Sequence, residues 1–277
     1  MPIRMDLSMP HLNAIVTQRI DSAPGLMILR VAPEGWELPP FTPGQFAVLG
    51  LPASAPKSPG AEPDDPPLPQ DTFLSRAYSI ASSSLERQYL EFYLVEVKTG
   101  ALTPRLFALK EGDRVWLGPK FTGRFTLDQV PQDQNVVFIA TGTGLAPYMS
   151  MLRTHLEAGG SRRYAVLHGA RRSRDLGYRE ELLVMQGLAP NFLYIPVLTR
   201  PETEPVPWKG HTGRLPAFWK EKILERAWGF QPSPANTHCF LCGNPAMVEA
   251  MEAVLEAEGF TEHSTRKPGQ VHSEKYW

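Results

Sequence analysis

Cysteine is nearly absent from this chain: two occur among 277 residues, Cys239 and Cys242. Two thiolates cannot ligate an iron-sulfur cluster through four cysteines, nor build a disulfide framework. Any redox chemistry has to come from another cofactor. An excess of one charge is missing as well, since 28 Lys and Arg stand against 29 Asp and Glu for a formal net charge of -1. That balance gives no bulk attraction to nucleic acid or to an anionic membrane, so a charge-guided partner must be met by a local patch. No apolar run nears the about 20 residues of a membrane-spanning helix. The opening Met-Pro-Ile-Arg-Met-Asp lacks the basic-then-apolar order of a signal peptide, and a cytoplasmic location is expected. The seven histidines show no H-E-x-x-H or other metal spacing, so no metal site is expected. A Gly-x-Ser-x-Gly nucleophile elbow is also absent.

What is present divides in two. The length suits two domains of ordinary size, each with its own core. Residues 14–16, 26–31 and 45–49 are short apolar runs separated by Gly and Pro turns, followed by alternating stretches at 89–97 and 113–118. That spacing predicts an antiparallel β-barrel over residues 1–131. Residues 52–70 carry a Pro, Ala, Ser and Asp mixture with no period, expected as a flexible or polyproline-like loop. Beyond about residue 132 apolar runs at 136–140, 164–167, 192–198 and 238–242 alternate with helical periods near 146–157, 179–185, 217–226 and 245–258. Alternation of this kind predicts an α/β doubly wound parallel sheet over residues 132–277.

Five groups of residues are candidates for chemistry. Arg76-Ala77-Tyr78-Ser79 ends an expected strand, where alternate side chains share a face. Arg76 offers a planar fork for a phosphate or pyrophosphate, Tyr78 a ring for stacking and Ser79 a small donor, a set suited to a flavin nucleotide. Thr103, with Pro104 after it, reads as a helix N-cap that would present unpaired N–H groups to an anion. Thr141, Gly142, Thr143 and Gly144 follow a strand and open a helix, as a dinucleotide-phosphate loop does. Pro147 stands where the full fingerprint has its third Gly, so the same residues also read as a plain strand-helix turn. Arg171 and Arg172 follow the next strand with no acid before Asp175, and Arg200 and Arg214 follow the third. Any one of them reads as a solvated charge; together at carboxyl ends of parallel strands they favour a 2'-phosphate, hence NADP. Cys239 and Cys242 form a C-x-x-C, but in a strand residues three apart face opposite sides, so two independent cysteines are expected rather than a dithiol. Cys242 and Gly243 begin a strand-to-helix turn expected to face the ligand crevice.

With these residues laid out, the chain resembles the bacterial-type ferredoxin/flavodoxin-NADP reductases. The resemblance is carried by Arg76 to Ser79, Phe92-Tyr-Leu-Val95, Gly100-Ala-Leu-Thr-Pro-Arg105, the run from Thr141 to Pro147, His168-Gly-Ala-Arg171, Asp175-Leu-Gly-Tyr178, Cys242-Gly-Asn-Pro-Ala-Met247 and the tail Glu274-Lys-Tyr-Trp277. It implies an FAD-binding domain followed by an NADP-binding domain, and exchange of a hydride with NADP(H) and single electrons with ferredoxin or flavodoxin. By position, Arg76 would hold the FAD pyrophosphate, Tyr78 would stack on the flavin, and Ser79 would hydrogen-bond near its N5. Ala77, the backbone of Tyr93, Leu94 and Val95, and the start at Gly100, Leu102 and Thr103 would complete the cradle. The tail would return to the cofactor, with Tyr276 on the flavin and Trp277 on the adenine. Arg171, Arg200 and Arg214, with Arg172 beside them, would clamp the 2'-phosphate, and Cys242 and Glu274 would assist hydride or proton movement. The same flavin chassis also serves reductases of oxygenases or ferric siderophores, and a flavin-binding subunit without turnover is the remaining alternative.

Overall fold

A computed structural model describes residues 10–275. The chain divides into two compact units, one ending at Gly123 and the other beginning at Arg124. Phe125, six residues before the end of the stretch expected as the first domain, packs its ring 5.2 Å from Phe240 and 6.0 Å from Tyr148.

The first unit holds strands β1 (Ala14–Ala23), β2 (Leu26–Pro33), β3 (Phe46–Pro52), β4 (Phe73–Ser79), β5 (Leu90–Val95) and β6 (Arg114–Leu117), with one short helix, α1 (Thr103–Ala108). They pair in the order β4-β3-β6-β1-β2-β5, all antiparallel. Inward residues repeat at period two, as with Ala14 and Val16 or Leu90, Phe92 and Leu94, and together with Leu106 and Phe107 of α1 they form one core. The six strands are antiparallel as expected; among the described residues a single bridge, Ile80 to Phe92, joins the two edges, and no continuous ladder closes the sheet into a barrel. The chain leaves strand geometry after Ile80, so there is too little extended backbone to complete the closure.

Thr103 does not cap α1. Leu102 stands at the cap position with no side-chain bond, while the Thr103 hydroxyl accepts from the Val97 N–H and donates to the Val97 carbonyl. The hydroxyl thereby fastens the preceding turn rather than the helix. Residues 52–70, expected as a flexible loop, have three firm anchors. Arg105 on α1, only 4% exposed, donates to the Ala53 and Ala101 carbonyls and forms a fork with both carboxylate oxygens of Asp64. Lys57 pairs with the same carboxylate at 2.6 Å, and Ser58 bonds Glu96. Proline-rich sequence alone does not reveal such side-chain ties.

The second unit holds β7 (Asn135–Thr141), β8 (Tyr164–Ala170), β9 (Phe192–Leu198), β10 (His211–Thr212), β11 (Thr237–Gly243) and β12 (Val271–Lys275) in the order β10-β9-β8-β7-β11-β12, all parallel. Helices α2 (Ala146–His155), α3 (Arg179–Leu188), α4 (Leu215–Trp219), α5 (Ile223–Trp228) and α6 (Pro245–Ala257) connect them. The one helix expected over 217–226 is two, broken where Lys222 adopts a left-handed φ of 55°. Strand order runs outward from β7 through β8 to β10, then restarts on its other side with β11. The switch point of the sheet is therefore between β7 and β11, where ligands of such sheets bind beyond the carboxyl ends. Among the described residues no helix is long and apolar enough to cross a membrane.

The Asp64 fork generates a prediction. Hydrogen bonding to Arg105 holds the Asp64 carboxyl down to about 2 from an ordinary 3.8. A lowered folded-state value means the carboxylate stabilises the fold above pH 3.8 and loses that contribution as the pH falls towards 2. Asp64→Ala is expected to cost about 2–3 kcal/mol at pH 7 by leaving the Arg105 charge enclosed without its partner. Urea unfolding measures it, and the difference from wild type should close as the pH approaches 2.

Candidate functional site

On β4, an edge strand, Arg76 sits opposite Leu49 and Tyr78 opposite Ala47, so the two share a face as expected. Arg76 and Ala77 are exposed, while Ser79 is 8% exposed at the strand's end. Among the described residues the Arg76 guanidinium donates only to the adjacent Ser75 carbonyl, at 2.7 Å, and carries no ion pair. The Tyr78 hydroxyl is buried and has no hydrogen-bond partner among the described residues. Burial pushes its pKa up, with the Arg76 charge pulling the other way. A buried phenol without a partner beside an unpaired guanidinium fits a ligand with a flat polar ring and a phosphate. On β5, Tyr93 and Leu94 are buried and Val95 is partly exposed; Gly100, Leu102 and Thr103 lie in the turn that starts α1.

In the second unit the loop after β7 folds as a 3-10 turn, Gly142–Leu145, that runs straight into α2. Gly142 has φ +55°, with nothing within 4 Å of where a Cβ would stand. Gly144 has the opposite surroundings: a Cβ there would lie 2.3 Å from the Cys242 carbonyl oxygen. From the other side, a Cβ on Gly243 would lie 2.4 Å from the Thr141 hydroxyl. That hydroxyl accepts from the Asn244 N–H at 2.9 Å, and the Asn244 side chain caps α6 by accepting from the Ala246 and Met247 N–H groups. Two strand-helix turns are thus pressed together at the switch point, leaving Thr141, Gly142 and Thr143 partly exposed above it.

Cys242 was expected to face an open crevice; its side chain is instead 0% exposed, with the Gly144 turn lying on its carbonyl. Cys239 is equally enclosed, burial pushes its thiol pKa up, and the two cysteines form no disulfide. Parallel pairing puts Glu274 of β12 in register with Cys242, which joins two candidate residues 32 positions apart in the chain. Sequence patterning missed β12 as a strand because four of its five residues are polar. Tyr276 and Trp277 lie outside the described residues. The β11-β12 pairing is packed by histidines. His238 Nδ1 is 3.0 Å from His272 Nε2, and the His272 ring stacks on Phe240 at 4.2 Å and on His263 at 4.5 Å.

Arg171, Arg200 and Arg214 lie just beyond β8, β9 and β10, three consecutive neighbours in the sheet. All three are exposed, and among the described residues none of their guanidinium groups has a hydrogen bond or ion pair. The Arg200 N–H bonds the Arg171 carbonyl at 3.0 Å. Arg172 differs: its Nε donates to the Thr203 hydroxyl at 3.1 Å, and its N–H to Asp175. Ser173 donates its N–H at 2.8 Å and its hydroxyl to the Glu204 carboxylate. These contacts brace the two loops against each other. Ser173 and Glu204 are 31 residues apart, and no sequence motif links them. Among the described residues no group of three His, Cys, Asp or Glu side chains is arranged to hold a metal ion.

Comparison with known proteins follows this division. Residues 138–253 match the family model of the oxidoreductase NAD-binding domain. The flavodoxin/ferredoxin-NADP reductase of Escherichia coli strain K12 is 36% identical over 242 residues, covering 86% of this chain and 88% of that protein. Its counterpart from Buchnera aphidicola of Baizongia pistaciae is 32% identical over 240 residues with the same coverage. The crystal structure of a ferredoxin NADP+ reductase from Neisseria gonorrhoeae, with bound FAD and NADP, superimposes with a TM-score of 0.78 at 23% identity, covering 95% of this chain and 97% of that one.

Two measurements test the packing around the site. Gly144→Ala is expected to destabilise the chain by about 3 kcal/mol or more, since backbone must move. Gly142→Ala should cost only about 1–2 kcal/mol, the penalty of a left-handed residue with room around it; denaturant unfolding of both variants compares them. The second concerns pH. Burial, then neighbouring charge, holds His272 down to about 3 and His238 to about 4, against an ordinary 6.5. The unfolded chain takes up these protons first, so stability falls as pH drops from 6.5 and levels off below about 3. His272→Phe keeps the stack and removes one titration, and should lessen that loss by roughly a third between pH 7 and 4.5, since burial holds His168 down to about 4 as well.

Proposed function

We infer that this chain, which belongs to the flavodoxin/ferredoxin-NADP reductase family, is an FAD-dependent reductase that exchanges a hydride with NADP(H) and single electrons with ferredoxin or flavodoxin. One observation carries the choice of nucleotide: three guanidinium groups without partners among the described residues, Arg171, Arg200 and Arg214, stand beyond three adjacent parallel strands. An unpaired arginine at each of these ends supports a phosphate ligand with several oxygens to share, and the 2'-phosphate distinguishes NADP(H) from NAD(H). Arg172, already bonded to Thr203, is proposed to contribute charge rather than a direct grip.

Bound FAD supplies the conversion between two-electron hydride exchange and one-electron transfer. The residues of this chain bind and orient. Arg76 is proposed to grip the FAD pyrophosphate, Tyr78 to stack on the flavin ring, and Ser79 to hydrogen-bond near its N5. Ala77, the backbone at Tyr93, Leu94 and Val95, and the turn of Gly100, Leu102 and Thr103 are proposed to enclose the phosphates. Each aromatic stack adds about 0.5–1.5 kcal/mol beyond burial. In the second unit the Thr141, Gly142, Thr143 and Gly144 turn, opening a ten-residue helix, is proposed to receive the NADP(H) pyrophosphate on its N–H groups. Cys242 and Gly243 are assigned to the nicotinamide end. Glu274, beside Cys242 and the more exposed of the two, is proposed to hold or release a proton there. Tyr276 and Trp277 are assigned to the cofactor only through the family. The proposed setting is the cytoplasm.

The test is an anaerobic titration of the purified protein with NADPH and NADH, following flavin absorbance. Wild type should bleach with NADPH at far lower concentration than with NADH. Changing Arg171 and Arg200 together to Gln should raise the NADPH requirement about 100-fold, at roughly tenfold per charge-assisted bond, with NADH moved less than about twofold. Equal losses for both nucleotides, or a protein carrying no flavin, would refute the reading.

A further inference from the structure

Glu204 has no place in the reading above. It is neither on a strand nor near a glycine turn, and it is an acid among arginines that are assigned to a phosphate. Its carboxylate is nevertheless engaged at both oxygens. One oxygen accepts the Ser173 N–H at 2.8 Å and the other accepts the Ser173 hydroxyl. Thr203, next to it, accepts from Arg172 Nε at 3.1 Å and donates to the Arg200 carbonyl at 2.9 Å. The Arg200 N–H in turn reaches the Arg171 carbonyl, and Thr199 N–H the Ala170 carbonyl. The loop after β8 and the loop after β9 are thereby laced from Ala170 to Glu204.

The charges sort themselves along this lacing. Arg172 is spent on the brace, Arg174 lies 3.9 Å from Asp175, and Arg171 and Arg200 keep their donors free. Bonds from Ser173, and then the Arg172 and Arg174 charges, hold the Glu204 carboxyl below its usual range. It is ionised throughout the neutral range, so the brace does not come and go with protonation.

We propose that Glu204, through its grip on Ser173, is a positioning residue that sets the separation of Arg171 and Arg200 and with it the preference for a nucleotide carrying a 2'-phosphate. The inference rests on the NADP(H) reading and deepens it. It also makes a directional claim. If Glu204 acted only through its charge, removing it would strengthen phosphate binding, because a nearby negative charge opposes the anion. As a brace, its removal weakens phosphate binding, because two exposed arginines must then be ordered by the ligand itself.

The experiment uses the flavin-loaded full chain with 2',5'-ADP as a probe of the phosphate site, by titration calorimetry, alongside steady-state oxidation of NADPH and NADH with ferricyanide as acceptor. Glu204→Ala should weaken 2',5'-ADP about tenfold and raise the NADPH KM equally, leaving kcat and the NADH KM in place. Ser173→Ala, which keeps the charge and removes one bond, should weaken the probe about threefold. Tighter or unchanged 2',5'-ADP binding in Glu204→Ala overturns the proposal, as does an equal rise in both KM values. Should Glu204→Ala not fold, Ser173→Ala decides by the same criteria. Arg200→Gln separates the two failures. If it weakens the probe and Glu204→Ala does not, only the brace is wrong; if it leaves the probe unaffected, the phosphate reading fails and the brace with it.

Discussion

The close approach of two turns at the switch point governs the second unit. A Cβ on Gly144 would lie 2.3 Å from the Cys242 carbonyl oxygen, and one on Gly243 would lie 2.4 Å from the Thr141 hydroxyl. Thr141 then finishes the contact by accepting from Asn244. Because the two turns follow β7 and β11, their contact fixes where α2 and α6 begin. It also encloses Cys242 and brings the strand that carries Glu274 alongside. A side chain at either glycine would separate the turns, and the start of α2 would no longer pack against Cys242 and Gly243.

A second theme is the division of labour among arginines. Arg105 is enclosed and wholly committed, bonded to Ala53, Ala101 and Asp64. Arg153 is similarly committed to Glu181 at 2.7 Å and lies over the Tyr178 ring. Arg172 is half committed. Arg76, Arg171, Arg200 and Arg214 are exposed with little or nothing to hold. A guanidinium with five donors gains most from planar, bidentate partners, so those left without one are where anions are expected. The same criterion separates Arg171 from Arg172, adjacent in sequence and alike in composition.

In the first unit the sheet supplies rigidity and the connections supply specificity. Period-two burial fills one face, while the insertion after β3 is pinned to α1 through Asp64 and Arg105. The edge strand β4 is left with an exposed arginine and a buried tyrosine hydroxyl that has no partner. Edge position matters here, because only an edge strand has backbone and side chains open to a ligand on its outer side.

Much of this was legible from residue order. Period-two runs before residue 120 and strand-helix alternation after 132 specify an antiparallel sheet followed by a parallel one, since side-chain periodicity follows backbone geometry directly. Gly142 and Gly144 after an apolar run, and Arg76 two residues before Tyr78, mark candidate sites because local backbone sets their directions. What depended on tertiary structure was every relation between residues far apart in the chain. Sheet closure, the register of Cys242 with Glu274 and the Ser173 to Glu204 bond all belong to this class. Periodicity reports which face of an element is buried; only packing decides which buried or charged groups meet, because those contacts are chosen by the fold of the whole unit and leave no local pattern.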